Sequence, residues 1–176
     1  REAAKLGVLT GDVGFDFAKI MARKDKVVQT LRGGVQSLLK SNRVRQVIGT
    51  ASLEAADRVR VVAPDGSAQS FRAKNIILAT GSEPVKLPVP GLEGDGIWTS
   101  NEAVHAPFVP GTLVVIGAGA VGLEFAYLFN AFGSKVTVVE LMPEVLPTAD
   151  VDVARELRKC LAKQGITSKL ASQVTG

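Results

Sequence analysis

The sequence predicts an α/β protein in which an antiparallel β hairpin precedes a parallel βαβ unit. Three observations predict it. The apolar run Thr112–Ile116 passes directly into Gly117-Ala118-Gly119-Ala120-Val121-Gly122 and then into a segment with helical periodicity. A second β-branched run, Lys135–Val139, follows and closes on an acid, Glu140. Upstream, Arg58–Ala63 alternates apolar and polar residues and meets Asp65-Gly66, a strong short-range hairpin signal.

Taken in order, residues 14–41 read as one long helix or a broken pair. Phe17, Ile20, Val27, Val28, Leu31, Val35, Leu38 and Leu39 recur at spacings of three, four and seven, with Lys19, Arg23, Lys24, Lys26 and Lys40 mainly between them. Gly33 and Gly34 interrupt the pattern and mark a kink or a close backbone approach. Val44–Leu53 reads as a strand, Arg58–Ala63 as a second with one face buried and one wet, and Ser67–Ala73 as its hairpin partner. Asn75–Thr80, an apolar run, is expected to be a strand buried on both faces. Ser82–Gly96 is loop, because Pro84, Pro88 and Pro90 exclude central-strand pairing. Thr99-Ser100-Asn101-Glu102 is expected to cap a short helix running to Ala106, ended by Pro107. Residues 119–132 read as a helix packing through Leu123, Ala126, Tyr127 and Phe129, with Gly133 as its stop. Residues 150–164 read as a further helix stopped by Gly165, and Ile166–Ser172 as the start of a third strand. A domain border is expected near residue 110. Arg1 falls in sequence that reads as structured, and the last residues read as a strand that has just begun to turn. The 176 residues are therefore expected to be an internal piece of a longer protein.

Composition narrows the function. Apolar residues make up 46% and charged residues 22%, a globular balance, and the net charge of +4 says little about partners. One cysteine, Cys160, excludes an intrachain disulfide or dithiol centre, and one histidine, His105, excludes a His-rich metal site, so no metal is expected. Cys160 is expected to be buried, at helical spacing from Leu157 and Leu161, and His105 has no carboxylate partner nearby in sequence. There is no run of 18 apolar residues, hence no expected membrane span, and the first residues lack the apolar core of a secretory signal. The basic run Arg23–Lys26 has no interleaved aromatics, so it reads as a solvated helix face and no nucleic-acid partner is expected.

The glycine motif carries the chemistry. A lone GxGxxG is weak, but this one sits between a strand and a helix. Gly117 permits the tight turn, Gly119 lets a pyrophosphate approach the backbone, and Gly122 lets the helix pack on the sheet. The unpaired N–H groups of the first helical turn then face the phosphates. Glu140, 23 residues after Gly117, is placed to accept hydrogen bonds from an adenosine ribose. A 2′-phosphate would be repelled by it, and Leu141, Met142 and Pro143 offer no cation, so NAD is expected over NADP. The competing explanation is a glycine turn used only for packing. The fingerprint alone does not separate NAD from FAD.

Three segments carry a family likeness: Ile76-Ile77-Leu78-Ala79-Thr80-Gly81-Ser82, Val115–Glu124 and Val136–Glu140. In this order they resemble the FAD- and nicotinamide-dependent disulfide oxidoreductases. Thr30-Leu31-Arg32-Gly33-Gly34-Val35, Val47-Ile48-Gly49-Thr50-Ala51, Leu161–Ile166 and Val174-Thr175-Gly176 are similar to the dihydrolipoyl dehydrogenase branch in particular. The likeness covers essentially the whole chain. The ATG and glycine motifs are shared across the family, and the TLxGG helix is the more discriminating.

The resemblance implies a Rossmann-like FAD/NAD-binding fold, with residues 1–110 part of the FAD domain and 111–176 the start of an inserted NAD domain. It implies that Ala51, Ala79, Thr80, Gly81 and Ser82 approach FAD. It implies that Gly117, Ala118, Gly119, Ala120, Val121 and Gly122 form the NAD pyrophosphate loop, and that Glu140 holds the ribose. Glu124 would reach toward the nicotinamide and the flavin edge; the competing explanation from its position alone is a solvent-facing helix glutamate. The implied reaction is oxidation of protein-bound dihydrolipoamide through an enzyme disulfide and FAD, with hydride passed to NAD⁺. The implied partner is a lipoyl domain of a 2-oxoacid dehydrogenase or glycine cleavage complex. A homodimer is implied, in the cytoplasm or, in a eukaryote, the mitochondrial matrix.

The family's first FAD glycine motif and redox cysteine pair, and its later His-Glu pair and interface domain, are not in these 176 residues, so the isolated segment is not expected to be competent. Ala120 also departs from relatives that carry a larger apolar side chain there, which would leave the nicotinamide gate more open. The alternatives are another reductase of the class (mercuric, glutathione or thioredoxin) or a non-catalytic nucleotide-binding module.

Overall fold

The computed structural model describes residues 11 and 13–175. The first ten residues and Gly176, the last of the family-like closing triplet, lie outside the described residues. The described chain forms two compact units, one of residues 23–83 and one that joins the described residues up to Ala22 to those from Pro84 onward.

Helix α1 (Phe17–Ser41) starts where Asp16 accepts the Lys19 N–H at 3.0 Å, an N-cap bond. It runs unbroken through Gly33 and Gly34, and among the described residues nothing lies within 4 Å of a Cβ placed at either, so neither marks a close approach there. No residue of α1 is fully buried, and Leu31, Val35 and Leu38 stand exposed. From Arg23 on, this helix belongs to the first unit.

That unit also holds the antiparallel meander β1 (Thr50–Ala55), β2 (Arg58–Val62) and β3 (Ala68–Arg72), in the order β1-β2-β3. The β2–β3 turn is the expected hairpin, with one refinement. Gly66 N–H donates to Ala63 O at 2.9 Å, so Pro64 and Asp65 are the central turn residues, and Gly66 follows with φ 83°. Proline presets φ for the first central position, and glycine takes the left-handed one at no steric cost. Asp65 accepts both the N–H and the hydroxyl of Ser67, at 2.9 and 2.7 Å. The expected wet and dry faces of β2 are present in part. Val61 is buried and Val59 half-buried, while Arg60 and Val62 are exposed.

Two expectations fail in this unit. The strand expected over Val44–Leu53 begins only at Thr50. The run Asn75–Thr80 is not a strand and is not buried: Ile77 is 89% and Leu78 68% exposed. An apolar run becomes a strand only through hydrogen bonds to a neighbour, and among the described residues no strand pairs with it.

The other unit carries the parallel sheet. Strands β4 (Thr112–Ile116), β5 (Lys135–Val139) and β6 (Thr167–Lys169) lie in that order, all parallel. Helix α3 (Ala120–Ala131) joins β4 to β5, and α4 (Val151–Lys163) joins β5 to β6. Before them, α2 (Ser100–Ala103) carries the expected cap. Thr99 accepts the Asn101 N–H, and Glu102 reaches back to the Thr99 N–H. The helix ends at Ala103, short of the expected Ala106.

The core lies between sheet and helices. Leu123, Ala126 and Phe129 of α3 meet Val136 and Val138 of β5, with Ala106, Ala118, Val145, Ala154, Leu161 and Ile166 completing it. Phe129 stacks near Phe125 and Trp98, and Phe15 and Phe17 pack on Phe132. Two expected core residues are outside it. Tyr127 is 54% exposed, one residue off the stripe set by Leu123, Ala126 and Phe129. Cys160 is exposed as well. The inward line of α4 runs through buried Ala154, half-buried Leu157 and buried Leu161, and Cys160 sits about 100° round the helix from Leu161.

Candidate functional site

The site is built where β4 gives way to α3. Gly117 leaves the strand with φ 97°, a left-handed turn that an L side chain resists. Its N–H is spent on Val139 O at 2.8 Å, which locks the end of β4 to the end of β5. Gly119 is the N-cap of α3, and among the described residues no side chain caps that end. The first intrahelical bond joins Leu123 N–H to Gly119 O, so the N–H groups at the helix start have no intrahelical acceptor. A Cβ at Gly119 would meet nothing within 4 Å, whereas one at Gly122 would lie 2.4 Å from Gly117 O and 3.3 Å from the Val115 side chain. Gly119 thus leaves space above the helix end, and Gly122 lets the helix sit tight on the turn.

Glu140 follows β5 and is buried, 8% exposed. Its Oε2 accepts the Ala118 N–H at 2.6 Å, and its Oε1 the Met142 N–H at 2.8 Å. The predicted acid and the predicted glycine turn therefore come together in one hydrogen-bonded group. Ala118 is fully buried, and its carbonyl accepts the Leu146 N–H at 2.9 Å. Ala120 and Val121 lie exposed on the first turn of α3, and Glu124 is exposed one turn further on.

The residues expected at a flavin lie in the other unit. Ala51 is exposed in β1 opposite Val61, and Ala79, Thr80, Gly81 and Ser82 run through exposed irregular backbone in which Gly81 has φ 79°. His105 hydrogen-bonds Asn101 O through Nδ1 at 3.0 Å, a contact within its own turn. Among the described residues no group of three His, Cys, Asp or Glu side chains converges as metal ligands would. No described helix is long and apolar enough to cross a membrane. Shallow hollows lined by Leu87–Gly94 and by Leu31–Gln36 share no residue with the glycine turn.

Sequence reasoning missed Met142 and Leu146. Each contributes a backbone N–H, which every residue but proline carries, so no side chain announced it. The one available signal was spacing: a chain leaving β5 must return beneath the turn that follows β4.

The family model described as pyridine nucleotide-disulphide oxidoreductase matches residues 3–176. The dihydrolipoyl dehydrogenase of Acholeplasma laidlawii is 41% identical over 171 residues, covering 94% of this chain and 49% of that protein. That of Chlorobaculum tepidum is 44% identical over 163 residues, covering 92% of this chain and 34% of its own. The chain thus spans between about a third and a half of the length of these relatives. Among solved structures, LpdA from Mycobacterium tuberculosis superposes with TM-score 0.82 at 27% identity, over 98% of this chain and 38% of that one. The flavoprotein disulfide reductase RclA from Escherichia coli does so at 0.78 and 31%, over 92% and 36%. The mixture of an antiparallel meander and a parallel βαβ sheet is the Rossmann-like fold of FAD- and NAD-binding disulfide oxidoreductases. With a single family description running through all but the first two residues, the chain belongs to the pyridine nucleotide-disulphide oxidoreductases.

Proposed function

We propose that this chain supplies flavin contacts and part of the nicotinamide-dinucleotide site of a dihydrolipoyl dehydrogenase. Residues 1–110 are then the later part of an FAD-domain segment, and residues 111–176 open the NAD domain. The observation that carries the reading is the uncapped start of α3 beside a buried carboxylate that already touches the glycine turn. The residues fit a dinucleotide: open space stands where a Gly119 Cβ would be, and unpaired backbone donors lie beneath it. Relatives at 41% and 44% identity that bear the dihydrolipoyl dehydrogenase name support this choice within the family.

When bound, NAD and FAD supply the hydride and electron chemistry, and the protein supplies binding and orientation. The backbone N–H groups of Gly119 to Val121 receive the diphosphate at the positive end of α3. The lone pairs of Glu140 not used by Ala118 and Met142 accept the ribose hydroxyls. The same carboxylate repels a 2′-phosphate, so the nucleotide is NAD. Glu124 reaches toward the nicotinamide side. Ala120 leaves that entrance wide, so Ala120→Val is expected to alter NADH oxidation kinetics. Ala51 and Ala79 to Ser82 contact the flavin.

In this reading the substrate is dihydrolipoamide on a lipoyl domain of a 2-oxoacid dehydrogenase or glycine cleavage complex. The enzyme is a homodimer of the cytoplasm or the mitochondrial matrix. The test is the flavin spectrum of the full-length parent protein together with its dihydrolipoamide-dependent NADH formation. Activity with dihydrolipoamide and NAD⁺ is expected. Bound flavin with turnover only on another disulfide or on mercuric ion would move the protein to a different branch. NAD binding without flavin would make it a binding module, and tighter NADP than NAD would overturn the nucleotide assignment.

A further inference from the structure

The reading above gives Glu140 its tasks at the adenosine sugar, receiving hydroxyls and repelling a 2′-phosphate, yet its carboxylate is already in use. Oε2 holds Ala118, the middle of the turn after β4, at 2.6 Å, and Oε1 holds Met142, in the loop after β5, at 2.8 Å. Leu146, in a left-handed conformation with φ 47°, donates its N–H to Ala118 O. Both backbone groups of Ala118 are thus held by the segment 140–146. That segment is itself fastened to the end of the sheet: Glu140 N–H donates to Lys169 O, Ser172 N–H to Glu140 O and Ala171 N–H to Met142 O, at 2.8 to 3.0 Å.

We propose that Glu140 is a positioning residue for the diphosphate-binding turn, fastening Ala118 and the 141–146 loop to each other before any nucleotide arrives. The inference rests on the nucleotide site proposed above and adds a second role to its acid. A carboxylate accepts at both oxygens, so it serves two backbone donors and keeps lone pairs for a ligand. An amide has one acceptor oxygen, and its NH₂ receives no N–H. Glu140→Gln therefore strands one buried backbone donor and frees one of the two loops. Exchanging the acid for a neutral group, the obvious route toward accepting a 2′-phosphate, loosens the diphosphate turn in the same stroke and does not by itself create an NADP enzyme.

The experiment compares wild type, E140Q and E140D in the full protein with two probes, NAD⁺ and its 2′,3′-dideoxyadenosine analogue, and reads amide hydrogen exchange without nucleotide. E140Q is expected to weaken the dideoxy analogue about tenfold, although that probe has no adenosine hydroxyl to lose. The Ala118 or Met142 amide is expected to exchange at least about tenfold faster while Val138 stays protected. E140D keeps the charge but shortens the reach, so it is expected to speed Ala118 exchange and still reject NADP. A penalty in E140Q that disappears with the dideoxy analogue, with unchanged exchange at both amides, overturns the proposal. If E140Q also loses protection at Val138, E140D decides on the same two readings. If the wild type binds neither probe, the nucleotide reading falls, and amide exchange alone decides whether Glu140 fastens the loops.

Discussion

The antiparallel meander and the parallel sheet have three strands each, and they are held in different ways. In the meander only Val61 is buried, and every residue of β1 is exposed. Its register comes from its own turn and ladder, with Val62 opposite Ala68 and Thr50 opposite Val62. In the parallel sheet Val136 and Val138 are almost wholly buried, and every connection passes through a helix that adds residues to the core. Neighbours joined by a tight turn can be ordered by local hydrogen bonds. Parallel neighbours need a crossover, and here the crossover helices add packing to the ladder that joins the strands.

The sharpest way to break this contrast is to cut the core. Phe129→Ala is expected to cost the parallel unit about 3–5 kcal/mol while leaving amide protection in β2 and β3 unchanged, as region-resolved hydrogen exchange would show. Gly122→Ala forces a Cβ against Gly117 O and is expected to cost about 1–3 kcal/mol and to weaken NAD binding, read by melting and by nucleotide titration. In the meander the sensitive point is the turn. Gly66→Ala places an L side chain at φ 83° and is expected to cost about 1–2 kcal/mol, seen as faster exchange in β2 and β3 and not in β5. Gly33→Ala has the opposite sign. Open space surrounds the site inside α1, so the substitution is expected to stabilise by about 0.5–1 kcal/mol in a thermal melt.

The smallest effect is acid fraying of α2. The Thr99 hydroxyl, and then its N–H, hold the Glu102 carboxyl below its ordinary value of 4.5. A lowered carboxyl stabilises fully above that ordinary value and loses its contribution as pH falls through the folded one. Trp98, the chain's single tryptophan, adjoins the cap and lies against Phe108 and Phe129. Its fluorescence is expected to shift below about pH 4.5, and the shift should move in Thr99→Ala.

The same contrast explains what could be read from the chain. The β4–α3–β5 order, the stops at Gly133 and Gly165 and the hairpin after Val62 were legible, because each is written by neighbouring residues. The meeting of Glu140 with the Gly117–Gly122 turn was legible because strand, turn and acid stand at fixed spacing. Asn75–Thr80 was misread because an apolar run does not say whether a partner strand lies beside it. Cys160 and Tyr127 were misread because helical spacing from a buried residue leaves the edge of the stripe undetermined. The backbone donors of Met142 and Leu146 had no residue type to betray them.

The Pro64-Asp65-Gly66 turn also bears on chemical ageing. An aspartate followed by glycine is prone to ring closure, in which the glycine nitrogen attacks the neighbouring carboxyl and the ring reopens with a shifted linkage. Here the Ser67 hydroxyl and then its N–H lower the Asp65 pKa, and the Gly66 N–H is engaged by Ala63 O. The nucleophilic nitrogen is withheld while the hairpin is closed, so this lesion is expected to accumulate in proportion to the fraction of time the turn is open.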